Sequence, residues 1–316
     1  MEEQIFQKAF EQWKNSDGHT PFWDSLASEC GYPSGEDMRL VFKRERKKRG
    51  LSKNSILPTV KQNSGAKILL LDIESSPIVA FTWGVYDQRI NPDAVIQDWH
   101  LLSWSAKWLF DTKKMSDVLT SEEAKNHDDR RIVEKIWGLL DDCDVVIAHN
   151  GNGFDIKRLN TRFLKHGFQP PSPYKQIDTL LVARSNFDFT SNKLDFINKF
   201  LGLRHKTDTG FDLWKRCFNG DEKALAEMLS YNVNDTDILE DLYVLLRPWM
   251  KNHPNLALYN EIEEYCCPNC GSIELESNGF YYGGSAKYES LRCSCGAVSR
   301  KKQNLLTKEK RKSLLS

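Results

Sequence analysis

The spacing of apolar residues changes character near residue 67. Helical spacing over residues 2–16, over 20–29 and again after Ser34 predicts three short helices. From Lys67 onward, runs such as KILLLDIE, VIQDWHLLSW and DVVIAHN predict strands, and they alternate with helical segments such as IKRLNTRFLKHG. Strands that alternate with helices predict an α/β domain, which ends near Trp249 and Met250 after one long helical stretch.

These patterns divide the chain into five predicted regions. Residues 51–66 have little periodicity and several helix breakers, and residues 251–300 are rich in Gly and Cys. The predicted regions are a small all-α domain at 1–50, a linker at 51–66, the α/β domain at 67–250, a small Cys-rich domain at 251–300 and a basic tail at 301–316.

Charge adds a candidate interface to this picture. The 44 basic and 44 acidic residues give no net charge, but the basic residues cluster near both ends of the chain. Three short helices of which the last is basic resemble a helix-turn-helix unit, so we expect the third helix to contact DNA; the alternative is a solvated helical cap. The candidate contacts are Arg44, Arg46, Lys47 and Lys48.

Hydropathy indicates no membrane segment. No apolar run approaches the roughly 18 residues that a transmembrane helix requires. The first residues, MEEQIFQKAF, are typical of an amphipathic helix rather than a signal peptide. We therefore expect a soluble, cytoplasmic protein.

Acidic residues stand at three places, which are the end of a strand, the start of a helix and one face of the last long helix. Asp72 and Glu74 end an apolar strand, and residues two apart on a strand project from the same face, so both carboxylates can reach one cation. Asp155 opens a helix after a Gly-rich turn, where an acid can also simply favour the helix dipole. Tyr231 and Asp235 lie on one face of the last long helix. A buried carboxylate is costly without a positive partner, so a basic side chain or a metal ion is expected beside the strand acids.

This ordered set resembles the DEDDy subgroup of the DnaQ-like 3′–5′ exonucleases, which includes proofreading domains of DNA polymerases and ribonuclease D. The resemblance covers roughly Lys67 to Leu246 and implies an RNase H-like fold, a mixed sheet flanked by helices. The matching residues are Asp72 and Glu74; Asn150, Phe154 and Asp155; and Tyr231 and Asp235. The resemblance assigns the four acids as metal ligands and Tyr231 as the residue that orients the attacking water, and we expect Asn150 and Phe154 to contact substrate.

The chemistry of phosphodiester hydrolysis agrees with that assignment. Two divalent ions about 4 Å apart stabilise charge on both the attacking and the leaving oxygen. Four carboxylates suit Mg²⁺ or Mn²⁺, so two such ions are expected as cofactors. The resemblance further implies release of nucleoside 5′-monophosphates and a bacterial or phage protein.

DNA is the expected partner, as a single strand or a 3′ end, because the basic helical region suits DNA; RNA remains open. The sequence indicates no particular protein partner. Two alternatives stand beside the exonuclease. One is an inactive DNA-binding or scaffold protein, and the other is a structure-selective endonuclease that acts on branched DNA.

Five of the eight cysteines lie between residues 266 and 295. The pairs Cys267 and Cys270, then Cys293 and Cys295, predict a structural zinc ribbon with one Zn²⁺. The second pair is one residue shorter than the usual zinc knuckle, so Cys266 can replace one of the four. The aromatic residues of the intervening hairpin are expected to fill the small core of the ribbon, with stacking on bases as the alternative: Tyr281, Tyr282 and Tyr288.

Overall fold

The computed structural model describes residues 3–14, 22–48, 65–204, 209–260 and 262–314. The helices are α1 (Glu3–Lys14), α2 (Phe22–Glu29), α3 (Gly35–Lys48), α4 (Ser121–Asn126), α5 (Arg130–Asp141), α6 (Asp155–His166), α7 (Thr179–Asn186), α8 (Leu194–Phe200), α9 (Asp212–Phe218), α10 (Glu222–Leu246) and α11 (Lys308–Lys312). The strands are β1 (Ile68–Ser75), β2 (Val79–Ala80), β3 (Val95–Gln97), β4 (Leu101–Trp108), β5 (Lys114–Val118), β6 (Val145–Ala148), β7 (Lys175–Asp178), β8 (Leu275–Gly283), β9 (Ala286–Cys293) and β10 (Val298–Arg300).

The chain divides into two compact units. Unit 1 comprises residues 1–59 and 189–205, and unit 2 comprises residues 60–188 and 206–316. Residues 189–205, which the sequence analysis placed within the α/β region, fall in unit 1, and the five predicted domain bounds stay a prediction. Most of the predicted linker, residues 51–64, lies outside the described residues.

Unit 1 has an aromatic core between its first three helices. The ring of Phe42 on α3 lies 5.4 Å from that of Phe6 on α1 and 5.2 Å from that of Trp23 on α2, measured between centroids. Ser34 caps α3, because the Asp37 amide donates to its Oγ at 3.1 Å. Burial of these large rings, each worth a few kcal/mol, is what holds three short helices together.

Unit 2 is built around a mixed five-stranded sheet with the order β5-β4-β1-β6-β7. The central strand β1 runs antiparallel to β4 and parallel to β6, and helices flank the sheet. This arrangement confirms the predicted α/β class, a mixed sheet flanked by helices. None of the helices in the described ranges has both the length and the apolar composition that crossing a membrane requires.

The two faces of β1 have different neighbours. Leu69, Leu71 and Ile73 belong to a buried apolar cluster that includes side chains of α5 and α6. The alternate residues include Asp72 and Glu74, which therefore point to the opposite face. One set of β1 side chains is therefore buried in the apolar core, and the alternate set places carboxylates on the opposite face.

Helix α10 is tied to β4 by a series of polar pairs that we call the polar ladder. Alternate residues of the strand meet every fourth residue of the helix. Two strand residues advance about 6.8 Å and four helix residues about 6 Å, so the two repeats stay nearly in step. The pairs are Ser103 Oγ with Asn232 Oδ1 at 3.3 Å, Ser105 Oγ with Thr236 Oγ1 at 2.9 Å, and Lys107 Nζ with Glu240 Oε2 at 2.6 Å.

The Cys-rich region forms a three-stranded sheet, β10-β9-β8, within unit 2. The expectation that the hairpin tyrosines fill its core is wrong, because Tyr281 and Tyr282 are 51% and 68% exposed. Tyr288 is half-buried. The buried cluster consists of four cysteines and Ala297 instead, and the tyrosine rings are not part of it.

The charge pair of the polar ladder, Lys107 with Glu240, generates a stability prediction. Burial raises the pKa of Glu240, and the Lys107 charge opposes that rise. Replacing Lys107 by Met leaves a buried carboxylate without its cation, so unfolding at about pH 7 should cost about 3–5 kcal/mol less. Because the folded-state pKa lies above the ordinary value of 4.5, this loss should shrink as the pH falls from 7 toward 4.5. Urea unfolding at both ends of this window measures it.

Two control variants define the outcome. Lys107→Met combined with Glu240→Leu should recover most of the stability, since no charge is then buried alone. Lys67→Met removes an ion pair with Asp142 in which both side chains are 56% exposed, and it should cost less than about 1 kcal/mol. If Lys107→Met lowers the free energy of unfolding no more than Lys67→Met does, the Lys107–Glu240 pair does not stabilise the fold as predicted.

Candidate active site

Three carboxylates meet at the end of β1. Asp72 and Glu74 come from the strand and Asp235 from α10, and one oxygen of each lies within 4.8 Å of the others. Asp235 is completely buried. We call these three residues the acidic group. Side chains that lie more than 160 positions apart in sequence are thus brought to one point, as the predicted metal site requires.

Two residues that the sequence analysis did not single out hold the acids in place. Asn232 Nδ2 donates to Asp72 Oδ2 at 2.5 Å, and Trp214 Nε1 on α9 donates to Glu74 Oε2 at 3.2 Å. Asn232 is itself held by the polar ladder. A charged acceptor strengthens each of these hydrogen bonds, so the carboxylates are oriented before any ligand arrives.

Tyr231 lies beside this arrangement. Its ring meets the ring of Trp214 edge-on, with 6.0 Å between centroids. The contact places the tyrosine next to the residue that holds Glu74. Its role in orienting water stays a prediction.

Asp155, the fourth predicted ligand, is close by but bonded differently. Its carboxylate is buried and accepts a hydrogen bond from the Ile73 amide at 3.2 Å. Ile73 is the residue between Asp72 and Glu74. Among the described residues, the oxygens that share the 4.8 Å range come from the other three acids, so ligation by Asp155 stays a prediction.

The turn that leads to Asp155 has a backbone geometry that accounts for the glycine at position 153. Asn150 adopts a left-handed conformation, with φ of 69°, and its amide donates to Asp178 Oδ1 at 2.9 Å. Asp178 also accepts from the Asn152 amide and caps α7. A side chain at Gly153 would lie 2.6 Å from Asn150 Oδ1, which is too close for any Cβ. The structure thus gives Asn150 a role in the turn, and its contact with substrate stays a prediction.

Arg158 brings a positive charge to the edge of the acidic group. Its guanidinium lies 4.4 Å from the ring centroids of both Phe154 and Trp99 and donates to Ser75 Oγ. Burial lowers the pKa of Arg158, while the charges of Asp98, Asp155 and Glu74 raise it. The two rings fix a cation beside a site of negative charge.

The basic helix α3 belongs to unit 1 and has a mixed surface. Arg44 and Lys47 are exposed, whereas the guanidinium of Arg46 lies 4.5 Å from the centre of the Trp13 ring. The side chain of Lys48 lies outside the described part of the chain. DNA contact by these four residues stays a prediction.

The buried cysteines have the geometry of a tetrahedral metal site. Sγ atoms of Cys267 and Cys295 are 3.7 Å apart, and those of Cys270 and Cys293 are 3.5 Å apart. A Zn–S length of about 2.3 Å places neighbouring sulfurs of a tetrahedron about 3.8 Å apart. All four sulfurs lie within 4.8 Å of one another, and Cys266 is not in this group.

A buried arginine near the cysteines carries a charge that is compatible with a zinc ion bound to four thiolates. Arg247 is 1% exposed, and its Nε and Nη1 atoms have no hydrogen-bond partner among the described residues. Hydrogen bonds from the Cys267 and Cys270 thiols, together with the Arg247 charge, lower the pKa of the Cys295 thiol. A zinc ion with four thiolates carries two negative charges, which would compensate a guanidinium that is otherwise costly to bury.

The central part of the chain is similar to a known protein family. Residues 106–247 match the family RNase_H_2 of the RNase_H superfamily. This match includes Asp155, Tyr231 and Asp235 and begins after β1. Together with the mixed sheet, it identifies an RNase H-like domain.

Two curated relatives are DNA polymerases. A stretch of 84 residues, 25% of this chain, is 39% identical to DNA polymerase III PolC-type of Ureaplasma parvum. A stretch of 109 residues, 32% of the chain, is 36% identical to the protein of that name from Mycoplasma genitalium. The chain spans only 6% and 7% of the length of these two relatives.

A solved structure is also similar. It is the family B DNA polymerase of the archaeon Pyrobaculum calidifontis, with 16% identity and a TM-score of 0.44 over 61% of this chain and 25% of the polymerase.

The acidic group generates a prediction about metal binding. Three carboxylates this close repel one another, so Asp235→Asn should raise the melting temperature of the metal-free protein. Mn²⁺ should stabilise the wild type by about 2.7 kcal/mol at a hundredfold excess over its Kd and should stabilise the variant much less. Thermal unfolding with and without Mn²⁺ measures both effects. Asp241→Asn on the same helix is the matched control, and an equal response of the two variants would remove Asp235 from the metal site.

The cysteine geometry predicts a zinc content. The purified protein should contain one zinc ion per chain by elemental analysis, and Cys270→Ser should lose it. Cys266→Ser should retain the zinc, because Cys266 lies outside the group of four. Loss of zinc from Cys266→Ser with retention in Cys270→Ser would reverse the ligand assignment.

Proposed function

We propose that this protein is a metal-dependent 3′–5′ exonuclease that hydrolyses DNA, as a single strand or from a 3′ end, and releases nucleoside 5′-monophosphates. The RNase H-like domain and the similarity to DNA polymerases support a nuclease. The observation that carries the proposal is the acidic group, three carboxylates within 4.8 Å at the end of the central strand. The order of the motifs along the chain supports the finer DEDDy assignment.

The donor set fits divalent cations with a preference for oxygen. Asp72, Glu74 and Asp235 would hold such a cation, and Asp155 would complete the set for a second one. Bound Mg²⁺ or Mn²⁺ stabilises the charge that develops on the attacking and leaving oxygens of a phosphodiester. Carboxylates alone repel a phosphate, so without metal the acidic group itself should add no affinity for nucleic acid.

The remaining residues of the site position these groups. Asn232 and Trp214 restrict the rotation of Asp72 and Glu74, which keeps the oxygens together before substrate binds. The Tyr231 hydroxyl would orient the attacking water and does not need to lose its proton to do so. Cleavage of the bond to the 3′ oxygen then leaves the phosphate on the released nucleotide.

Positive charge near the site would guide the backbone of the substrate. Arg158 is held between two rings at the edge of the acidic group and can contact a phosphate from that position. In the proposed assignment, helix α3 adds a basic surface to unit 1, and the cysteine site carries a structural zinc. Basic surfaces raise the local concentration of nucleic acid through counterion release.

The proposal is tested with a single-stranded DNA oligonucleotide labelled at its 5′ end. In Mn²⁺ or Mg²⁺ the wild type should shorten it stepwise, and Asp72→Ala should abolish the reaction because it removes a ligand. Tyr231→Phe should lower kcat by about 100-fold and leave the stabilisation by Mn²⁺ unchanged. Denaturing gels with time points resolve the products.

The other outcomes identify the alternatives. Immediate release of a short labelled fragment indicates cutting from the 5′ end or within the strand, and cleavage of a circular single strand establishes an endonuclease. Binding without any metal-dependent cleavage indicates a scaffold. An equal rate for Tyr231→Phe and wild type removes the water-orienting role.

A further inference from the structure

Residues 77–99, between β1 and β4, expose a set of aromatic side chains. We call this segment the aromatic loop. Trp83 is 105% exposed, Tyr86 is 85% exposed and Phe81 is 77% exposed. Large rings contribute most to stability when they are buried, so three fully displayed rings within six residues contribute little to folding.

The loop has an ordered stem below these rings. Strands β2 and β3 pair with each other, and the Phe81 amide donates to the Ala94 carbonyl at 3.0 Å. Beyond the stem, the Thr82 hydroxyl donates to the Gly84 carbonyl at 2.8 Å, and the Gln88 side chain donates to the Tyr86 carbonyl at 2.9 Å. The rings are therefore displayed by a structured hairpin.

Both ends of the aromatic loop are fixed beside the acidic group. At the first end, two residues after Glu74, the Ser76 amide donates to the His100 carbonyl at 2.9 Å, and the Ser76 hydroxyl bonds His100 Nδ1 at 3.0 Å. At the second end, the Trp99 ring packs against Arg158 of α6. The loop thus leaves and rejoins the sheet at the edge where the acids lie.

We propose that the aromatic loop binds the unpaired bases of a single strand whose 3′ end lies in the acidic group. This inference rests on the proposed function, because it uses the position of the 3′ end. Every base has a flat face that stacks on an aromatic ring regardless of sequence. Trp83 follows Glu74 by nine residues, a span of at most about 30 Å, so the rings are within reach of the last several nucleotides.

The charges of the loop specify how it binds. Asp87, Asp93 and Asp98 outnumber Arg89, so phosphate attraction does not account for the contact. Stacking therefore provides the affinity that the loop contributes. Because stacking releases no counterions, the contribution of the loop should not depend on salt, in contrast to that of a basic surface.

Binding is tested with the full-length protein and a fluorescent twelve-nucleotide oligothymidylate in EDTA, where no metal-dependent cleavage occurs. Trp83→Ala should raise the Kd by about tenfold, and adding Tyr86→Ala should raise it further. Trp83→Phe should remain close to wild type because it keeps a ring. Leu164→Ala, at an apolar position that is 80% exposed on α6, is the matched control and should change nothing.

Two further measurements separate stacking from other causes. The ratio of Kd between Trp83→Ala and wild type should be the same at about 50 mM and about 300 mM salt. With Mn²⁺, Trp83→Ala should raise KM for the oligonucleotide about tenfold with little change in kcat. The p-nitrophenyl ester of thymidine 5′-monophosphate has no upstream base, so its hydrolysis should be unchanged.

These outcomes distinguish failure of the inference from failure of the proposed function. If wild type shows the 3′–5′ ladder and Trp83→Ala matches it in Kd and KM, the aromatic loop does not bind bases and the exonuclease stands. If wild type binds the oligonucleotide through Trp83 but never cleaves it, the loop binds bases and the exonuclease fails. If wild type self-associates in sedimentation and Trp83→Ala abolishes that association without altering Kd, the rings are an interface between copies and the inference is overturned.

Discussion

The register between β4 and α10 is the constraint on which the acidic group depends. Asp235 lies on the helix and Asp72 on the strand beside β4, so their separation is set by how the helix lies along the sheet. An apolar interface permits small slips, whereas the polar ladder does not, because any slip would leave buried hydroxyl, amide and charged groups without partners. Asn232 belongs to the ladder and bonds Asp72 as well, so a single side chain joins the register of the helix to the orientation of a carboxylate.

The acidic group is therefore held rigidly, whereas the aromatic loop nearby in sequence is exposed to solvent. Asp235 and Asn232 are completely buried, and Trp214 holds Glu74 from a third element. The rings of the aromatic loop lie in solvent a short distance along the chain. Rigid acids and displayed rings suit different tasks, since a metal site tolerates errors of only a few tenths of an ångström, whereas stacking tolerates many geometries.

The sequence predicted those parts of this arrangement that are local. The apolar run of β1, the two acids on one of its faces, the last helix and the four cysteines follow from spacing within short segments. Asn232, Trp214 and Asp178 gave no local signal, because their importance arises from partners that lie far away in sequence. The hairpin tyrosines were misplaced for a related reason. The composition of the Cys-rich region suggested that tyrosine rings fill its core, whereas four buried cysteines form that core.

The partners in the polar ladder are 129 to 133 residues apart in sequence, which affects the order in which the protein matures. Contacts of such long range form only after the intervening chain exists, and chains are synthesised from the N-terminus. While residues 68–220 emerge from the ribosome, the strands can pair and α5 can pack against β4 through Trp104, but α10 is not yet present to pair with Ser103, Ser105 and Lys107. A nascent or truncated chain that ends before α10 thus contains Asp72 and Glu74 without Asp235, and also without Asn232. Assembly of the acidic group is consequently among the last steps in making the RNase H-like domain.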